Sequence, residues 1–296
     1  MSVPTNADFS ERLEIFFGDA SDALCRVYAR LRGPAAGRVG QLMGSLTGPT
    51  CAYSQTLGAT FQLVDRGPGD SLLAEATVPD PCFWSPEMPH VYAARVEWTH
   101  DGHSLASATR LLGLRPLGAH GQKLYFGGKR WVLRGVRAEG PPPVDLAAWH
   151  ECGAAMIVAN PDDALCQEAS RLGVLLVAEL TASEAREIRR LSRWPAVGVV
   201  TLPGGMHLDL HGLRHNLLLA ERFAGGQPLL PQPWAHLAVC QVDEPSEAGG
   251  RIANCVIPVI AARPEATLSS LAAGRALCDR LQSDLAGSCD PAGYIV

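Results

Sequence analysis

"AMIVANPDDALCQEASRLGVLLVAEL", residues 155–180, decides the fold. Its two apolar ends, "AMIVAN" and "VLLVAEL", are short and of strand type. Between them, Pro161, Asp162 and Asp163 open a helix and Gly173 closes it. Strand, helix, strand is the unit of a parallel sheet covered by helices.

The same rhythm runs outward on both sides. Before this stretch stand the strand "RWVLRGVR" (130–137) and the helix of "PPPVDLAAWHECGA" (141–154), with Asp145 at its start. After it come the helix "ASEAREIRRLSR" (182–193), the strand "AVGVVTL" (196–202) and an expected helix in "GLRHNLLLAERFAGG" (212–226). "QPLLPQ" (227–232) reads as a weak fifth strand, "HLAVCQVDE" (236–244) as the sixth and "VIPVIAAR" (256–263) as the seventh. No helix signal is visible in "PSEAGGRIANC" (245–255). "TLSSLAAGRALCDRLQSDLAG" (267–287) is the longest helix, and "GYIV" (293–296) is the eighth strand. Eight such units over residues 117–296 predict a compact (β/α)8 TIM-like barrel. The alternative is an open doubly wound sheet, but the stretch from Gly121 to Leu124 offers no glycine-rich phosphate loop.

Residues 1–116 have another character. "ALCRVYARL" (23–31), "GATFQLVDRG" (58–67), "SLLAEATV" (71–78) and "VYAARVEW" (91–98) are period-two or apolar runs set between Gly, Pro and Asp turns. They predict a small β-sandwich.

Composition narrows the function classes. The chain has 296 residues, is 47% hydrophobic and carries a net charge of −5. No basic field is present to hold nucleic acid, and no basic run marks a membrane surface. No apolar run reaches the ~18 residues of a membrane helix. "MSVPTNADFSERLEIFFG" (1–18) lacks the basic and apolar regions of a secretory signal. The nine Cys are scattered without a CxxC pair, which reads as reduced thiols and a cytoplasmic chain. No cofactor is expected.

Three motifs, in order, carry a family resemblance. Trp84-Ser85-Pro86-Glu87 with Pro89 and Tyr92 match "W-S-P-E-x-P-x-L-Y". Gly113, Leu114 and Arg115 match "F-G-I-R". Gly128, Lys129, Leu133, Arg134, Gly135 and Val136 match "L-N-G-K-P-x-x-L-R-G-V-N". The chain from about residue 12 thus resembles glycoside hydrolase family 2, the β-galactosidase and β-glucuronidase family. The jelly-roll domain that precedes these motifs in family members has no counterpart here. The resemblance implies an immunoglobulin-like sandwich followed by a TIM barrel. It also implies retaining hydrolysis of β-glycosides by two glutamates about 5 Å apart, at the ends of the fourth and seventh barrel strands.

Laid on this sequence, those positions are vacated. The family's "P-S-V-x-x-W-S-x-G-N-E" meets residues 195–205, so its sugar-binding Asn falls on Gly204 and its catalytic acid on Gly205. "P-x-I-x-x-E" meets residues 258–263, which puts Arg263 at the nucleophile position. The Arg of "N-x-V-R" falls near Val158. Glycine has no side chain, and a guanidinium is neither acid nor nucleophile at neutral pH.

Other residues compete for a functional role. Glu179 ends the third strand, where it would bind ligand or pair with the next helix. Asp243 and Glu244 after the sixth strand are displaced catalysts or a solvated turn, and Glu139 is similar. His207, Asp209 and His211, with His215 nearby, resemble a local metal cluster, but one cluster without a distant ligand is a weak signal, and a loop or helix-cap role is the default reading. Trp149, Trp194 and Trp234 are stacking platforms or core residues, Trp234 being the best platform. Arg263 is expected to point into the barrel mouth and pair with Glu179, or with Asp243 or Glu244, or else to attract an acidic ligand.

Three functions follow. The first is a non-catalytic family 2-like protein, a pseudo-glycosidase binding carbohydrate or another protein. The second is a hydrolase with relocated carboxylates, and the third a metal-dependent enzyme built on the His207–His215 cluster.

Overall fold

A computed structural model describes residues 5–33, 40–67, 69–138, 145–182, 184–206, 216–263 and 268–296. The chain divides between Leu114 and Arg115 into two compact units, with Arg193–Pro195 grouped with the first.

The first unit opens with a short helix, α1 (Asn6–Arg12), held by a capping box between Thr5 and Asp8. Seven antiparallel strands follow: β1 (Leu13–Ala20), β2 (Leu24–Leu31), β3 (Gln41–Thr50), β4 (Ala59–Asp65), β5 (Leu72–Pro79), β6 (Val91–His100) and β7 (His103–Leu112). Period-two patterning works as expected. Cys25, Val27, Ala29 and Leu31 of β2 are buried on one face, alongside Ala74, Ala76 and Val78 of β5. The strands form one curled sheet in the order β1-β2-β5-β4-β3-β6-β7. The two expected sheets are continuous because β4 changes partner: residues 59–63 pair with β3, while Val64 and Asp65 pair with β5. A single core is enclosed, including Phe9, Val27, Leu46, Tyr92 and Trp98.

The second unit begins with a three-stranded antiparallel sheet, β8 (Leu117–His120), β9 (Lys123–Phe126) and β10 (Lys129–Trp131). Then come eight parallel strands: β11 (Leu133–Arg137), β12 (Ala155–Ala159), β13 (Leu176–Glu179), β14 (Val197–Pro203), β15 (Leu218–Phe223), β16 (Leu237–Gln241), β17 (Val259–Ala262) and β18 (Gly293–Ile295). They close into a barrel, since β11 pairs with both β12 and β18. Helices α2 (Leu146–Cys152), α3 (Asp163–Leu172), α4 (Ala185–Leu191), α5 (Pro245–Ala253) and α6 (Leu271–Leu285) lie between strands. The expected caps at Asp145, Asp162 and Gly173 are in place, and Gly153 adds one that was not expected. Asp145 and Asp162 accept backbone N–H groups at the starts of α2 and α3, and Gly153 and Gly173 end them in the left-handed region.

Two segments depart from the sequence reading. "LLAERF" is a strand, β15, where a helix was expected, and residues 227–232 form no strand. "PSEAGGRIA" is helix α5, where no helix signal was found.

Candidate functional site at the barrel mouth

The orientation of the strand-end side chains follows from one outer contact. A Cβ on Gly274 of α6 would lie 2.8 Å from Val136 Cγ1, so Val136 faces the outer helix. Strand side chains alternate, so Arg137 faces the interior. Register carries that face around the barrel. Arg137 pairs with Ile157, Ile157 with Val177, and Glu179, two residues on, is level with Thr201. Thr201 pairs with Ala220, and Arg222, two residues further, with Val239. Gln241 follows and is level with Ala262. Arg137, Glu179, Thr201, Arg222, Gln241 and Ala262 therefore line the C-terminal mouth.

Three of them form a charged group. Arg137 NH1 lies 2.6 Å from Glu179 Oε2, and Arg222 NH1 lies 3.9 Å from Oε1. Arg222 also donates to the Leu180 carbonyl at 3.1 Å. Glu179 is largely enclosed, with 13% side-chain exposure, whereas Arg137 and Arg222 keep 34% and 32%. Beside them, Thr201 is 1% exposed, and its hydroxyl has no hydrogen-bond partner among the described residues.

Arg263 is not in this group. The seventh strand ends at Ala262, and by alternation Arg263 faces outward, where NH1 meets Asp284 of α6 at 2.8 Å. The expected pairing with Glu179, Asp243 or Glu244, the alternative of a mouth-facing site for an acidic ligand, and the placement of the family's nucleophile position on Arg263 are all overturned by this outer pair, because the side chain emerges one position past the inward-facing Ala262. Val158 likewise faces outward, level with Ala178, and Ala159 is the inward residue. Asp243 accepts from Gln241 Nε2 at 2.9 Å, and Glu244 stands exposed at the start of α5.

At the end of β14 the backbone itself constrains chemistry. A Cβ on Gly204 would lie 2.7 Å from the Arg222 carbonyl oxygen, and Gly205 has φ +76°. The Gly205 N–H donates to Glu221 Oε1 at 2.8 Å. Glu221, 1% exposed, also accepts from the Gln232 N–H at 2.7 Å. Sequence reading missed this carboxylate by placing it on a helix. The available signal was an acid inside the run "LLLAERF", flanked by apolar strand residues.

Trp234 is half-buried, and its indole N–H donates to the Met206 carbonyl at 2.8 Å, joining the segments after β14 and β15. Trp149 is buried, and Trp194 is half-buried. His207, Asp209, His211, His215 and Glu139 lie outside the described residues. Among the described residues, no three His, Cys, Asp or Glu side chains gather as a metal site. Among them, too, no helix is long and apolar enough to cross a membrane.

The fold is defined before any single relative is considered: a closed eight-stranded parallel barrel, preceded by a curled seven-stranded antiparallel sheet. The chain is similar to a β-glucuronidase from Bacteroides uniformis at TM-score 0.63 and 14% identity, over 96% of this chain and 45% of that one. It is similar to a β-glycosidase from Bacteroides vulgatus at TM-score 0.61 and 13% identity, over 86% of this chain and 38% of that one. A glycosyl hydrolase family 2 member from Bacteroides cellulosilyticus aligns at TM-score 0.64 and 11% identity, over 96% and 45%. The chain thus spans less than half the length of these structures. No family model and no curated protein matches the sequence.

Proposed function

We propose that this chain is a family 2-like pseudo-glycosidase whose barrel mouth binds a ligand without retaining glycosidase chemistry. One observation carries this reading: the inward carboxylate of the mouth, Glu179, is engaged by Arg137 and Arg222. A retaining mechanism needs one carboxyl group free to donate a proton and another about 5 Å away free to attack. The inward residue at the end of the seventh strand is Ala262, with Arg263 turned outward, which supports the absence of a nucleophile there. The backbone at Gly204 and Gly205 supports the absence of the acid, since an Asn-Glu pair would meet the Arg222 carbonyl and a left-handed φ. On this reading the first unit is the immunoglobulin-like domain and the second a reduced TIM barrel. The chain works in the cytoplasm, and its ligand is a carbohydrate or a carbohydrate-bearing partner, with Trp234 at the rim.

The test is hydrolysis of aryl β-galactosides, β-glucuronides and β-mannosides by the purified chain. The expected rate is within a few-fold of blank, because loss of both acid and nucleophile removes orders of magnitude. Turnover abolished by Glu179→Gln and retained by Arg263→Ala would establish relocated carboxylates instead.

A further inference from the structure

We infer that the barrel mouth is a receptor for a small molecule bearing one carboxylate, held by Arg137 and Arg222 with Thr201 beside them; this rests on the reading of the mouth as a ligand site. Two guanidinium groups present ten N–H donors; among the described residues Arg137 donates to one Glu179 oxygen and Arg222 to the Leu180 carbonyl, while the other Glu179 oxygen lies 3.9 Å from Arg222 as an ion pair. The donors left over sit on side chains about one-third exposed, so solvent and a small solute reach them. Charge points the same way. Two cations and one carboxylate leave the group at +1, and one carboxylate monoanion brings it to zero, whereas a phosphate dianion overshoots. Arg137 and Arg222 already converge on a carboxylate, so a second carboxylate meets donors of the right planar geometry.

Thr201 is the independent observation. A buried hydroxyl without a partner is uncommon in a folded interior, and this one, unpartnered among the described residues, belongs to the inward residue level with Glu179. It supplies a neutral donor next to the two cations, and an incoming carboxylate or adjacent hydroxyl satisfies it.

Calorimetry on the full chain at constant ionic strength tests this, with gluconate as probe, glucitol as its uncharged counterpart and inorganic phosphate as the competing oxyanion. Saturable gluconate binding is expected in the ~1 mM range, with glucitol at least about tenfold weaker. Arg222→Gln is expected to weaken gluconate about tenfold or more. Glu179→Gln provides the opposite sign, because removing the resident carboxylate frees donors and raises the positive charge, so gluconate binds several-fold tighter. That gain is a readout no unfolded variant can mimic. Equal binding of gluconate and glucitol, no saturation in either the parent chain or Glu179→Gln, or unchanged affinity in Glu179→Gln overturns the proposal. Phosphate binding without gluconate binding overturns the carboxylate assignment. Hydrolysis of an aryl glycoside overturns the pseudo-glycosidase reading alone and is separate from the calorimetric result.

Discussion

Glu221 accepts the backbone N–H of Gly205 at 2.8 Å from a position almost sealed from solvent, so a buried carboxylate holds the turn that ends the fourth barrel strand. Its other oxygen holds Gln232, which ties the segment after the fifth strand to the same anchor. Charge-assisted bonds to backbone N–H groups offset the cost of enclosing the carboxylate.

Glu221→Leu is expected to destabilise the second unit by about 2–4 kcal/mol, because two backbone donors lose their acceptor and no new contact replaces it. Glu221→Gln keeps one carbonyl oxygen for one of the two donors and is expected to cost about half as much. Urea unfolding midpoints of the two variants check the order. Equal stability of parent and Glu221→Leu would refute the anchoring role.

Gly204 and Gly205 carry separate penalties. Gly204→Ala drives a methyl group to 2.7 Å from the Arg222 carbonyl oxygen, so β14 or β15 has to shift, at about 2 kcal/mol. Gly205→Ala has open space but keeps φ +76°, and is expected to cost about 1 kcal/mol. Gly205→Glu places a carboxylic acid at the end of β14 and, on the proposed reading, is expected to yield no hydrolysis of aryl glycosides, since the inward residue at the end of β17 is Ala262. Thermal unfolding and a chromogenic assay on the same preparations test all three.

The barrel was legible where local signals and tertiary demand agree. "AMIVAN" and "VLLVAEL" are β-rich and apolar, and Asp162 and Gly173 bracket the helix between them. Legibility failed at β15, where Leu, Ala, Glu and Arg are good helix formers, and burial between β14 and β16 overrides that preference. It failed at α5 for the reverse reason. Gly249 and Gly250 read as a loop, yet a Cβ on Gly249 would lie 2.4 Å from Ser288 Oγ, so at Gly249 close packing forbids a side chain. The outward turn of Arg263 depends on where β17 stops, and a one-residue shift there exchanges inside for outside. Glu179 was visible as a strand-end acid. Its partner Arg222 was not, because it lay on the misassigned segment.

Thiol chemistry offers a check on burial. Desolvation pushes the thiols of Cys25 and Cys278 up to about 11 and that of Cys166 to about 12. A raised thiol carries almost no thiolate at pH 8, and the thiolate is the nucleophile. Native-state alkylation at pH 8 followed by mass spectrometry is therefore expected to leave these three unmodified, while the partly exposed Cys51 and Cys152 react. Rapid modification of Cys166 in the folded chain would contradict its buried position on α3.

The last prediction concerns acid. Asp290 is held below the ordinary carboxylate range first by its hydrogen bond to Lys123 and then by Arg130, at 2.6 and 2.7 Å. Asp279 is held down first by Arg134 and then by Arg275, both at 2.8 Å. Each folded-state value lies below the unfolded one, so each group stabilises the fold above the unfolded value of about 3.9 and loses that contribution as pH falls through the lowered value. Stability is therefore expected to decline from about pH 5 downward. Both carboxylates are more than half exposed, with side-chain exposures of 58% and 55%, so solvent screening limits each contribution to less than about 1 kcal/mol. The Asp279→Asn/Asp290→Asn double variant is expected to be less stable than the parent at pH 7 by up to about 1–2 kcal/mol, and the gap is expected to narrow at pH 3, where proton uptake by the unfolded chain removes part of the parent's advantage. At 1 M NaCl the gap at pH 7 is expected to shrink as well, since the Debye length falls to about 3 Å. Urea midpoints at pH 7, 5 and 3 measure it, and a gap that widens toward low pH would show that these aspartates do not act through their charge.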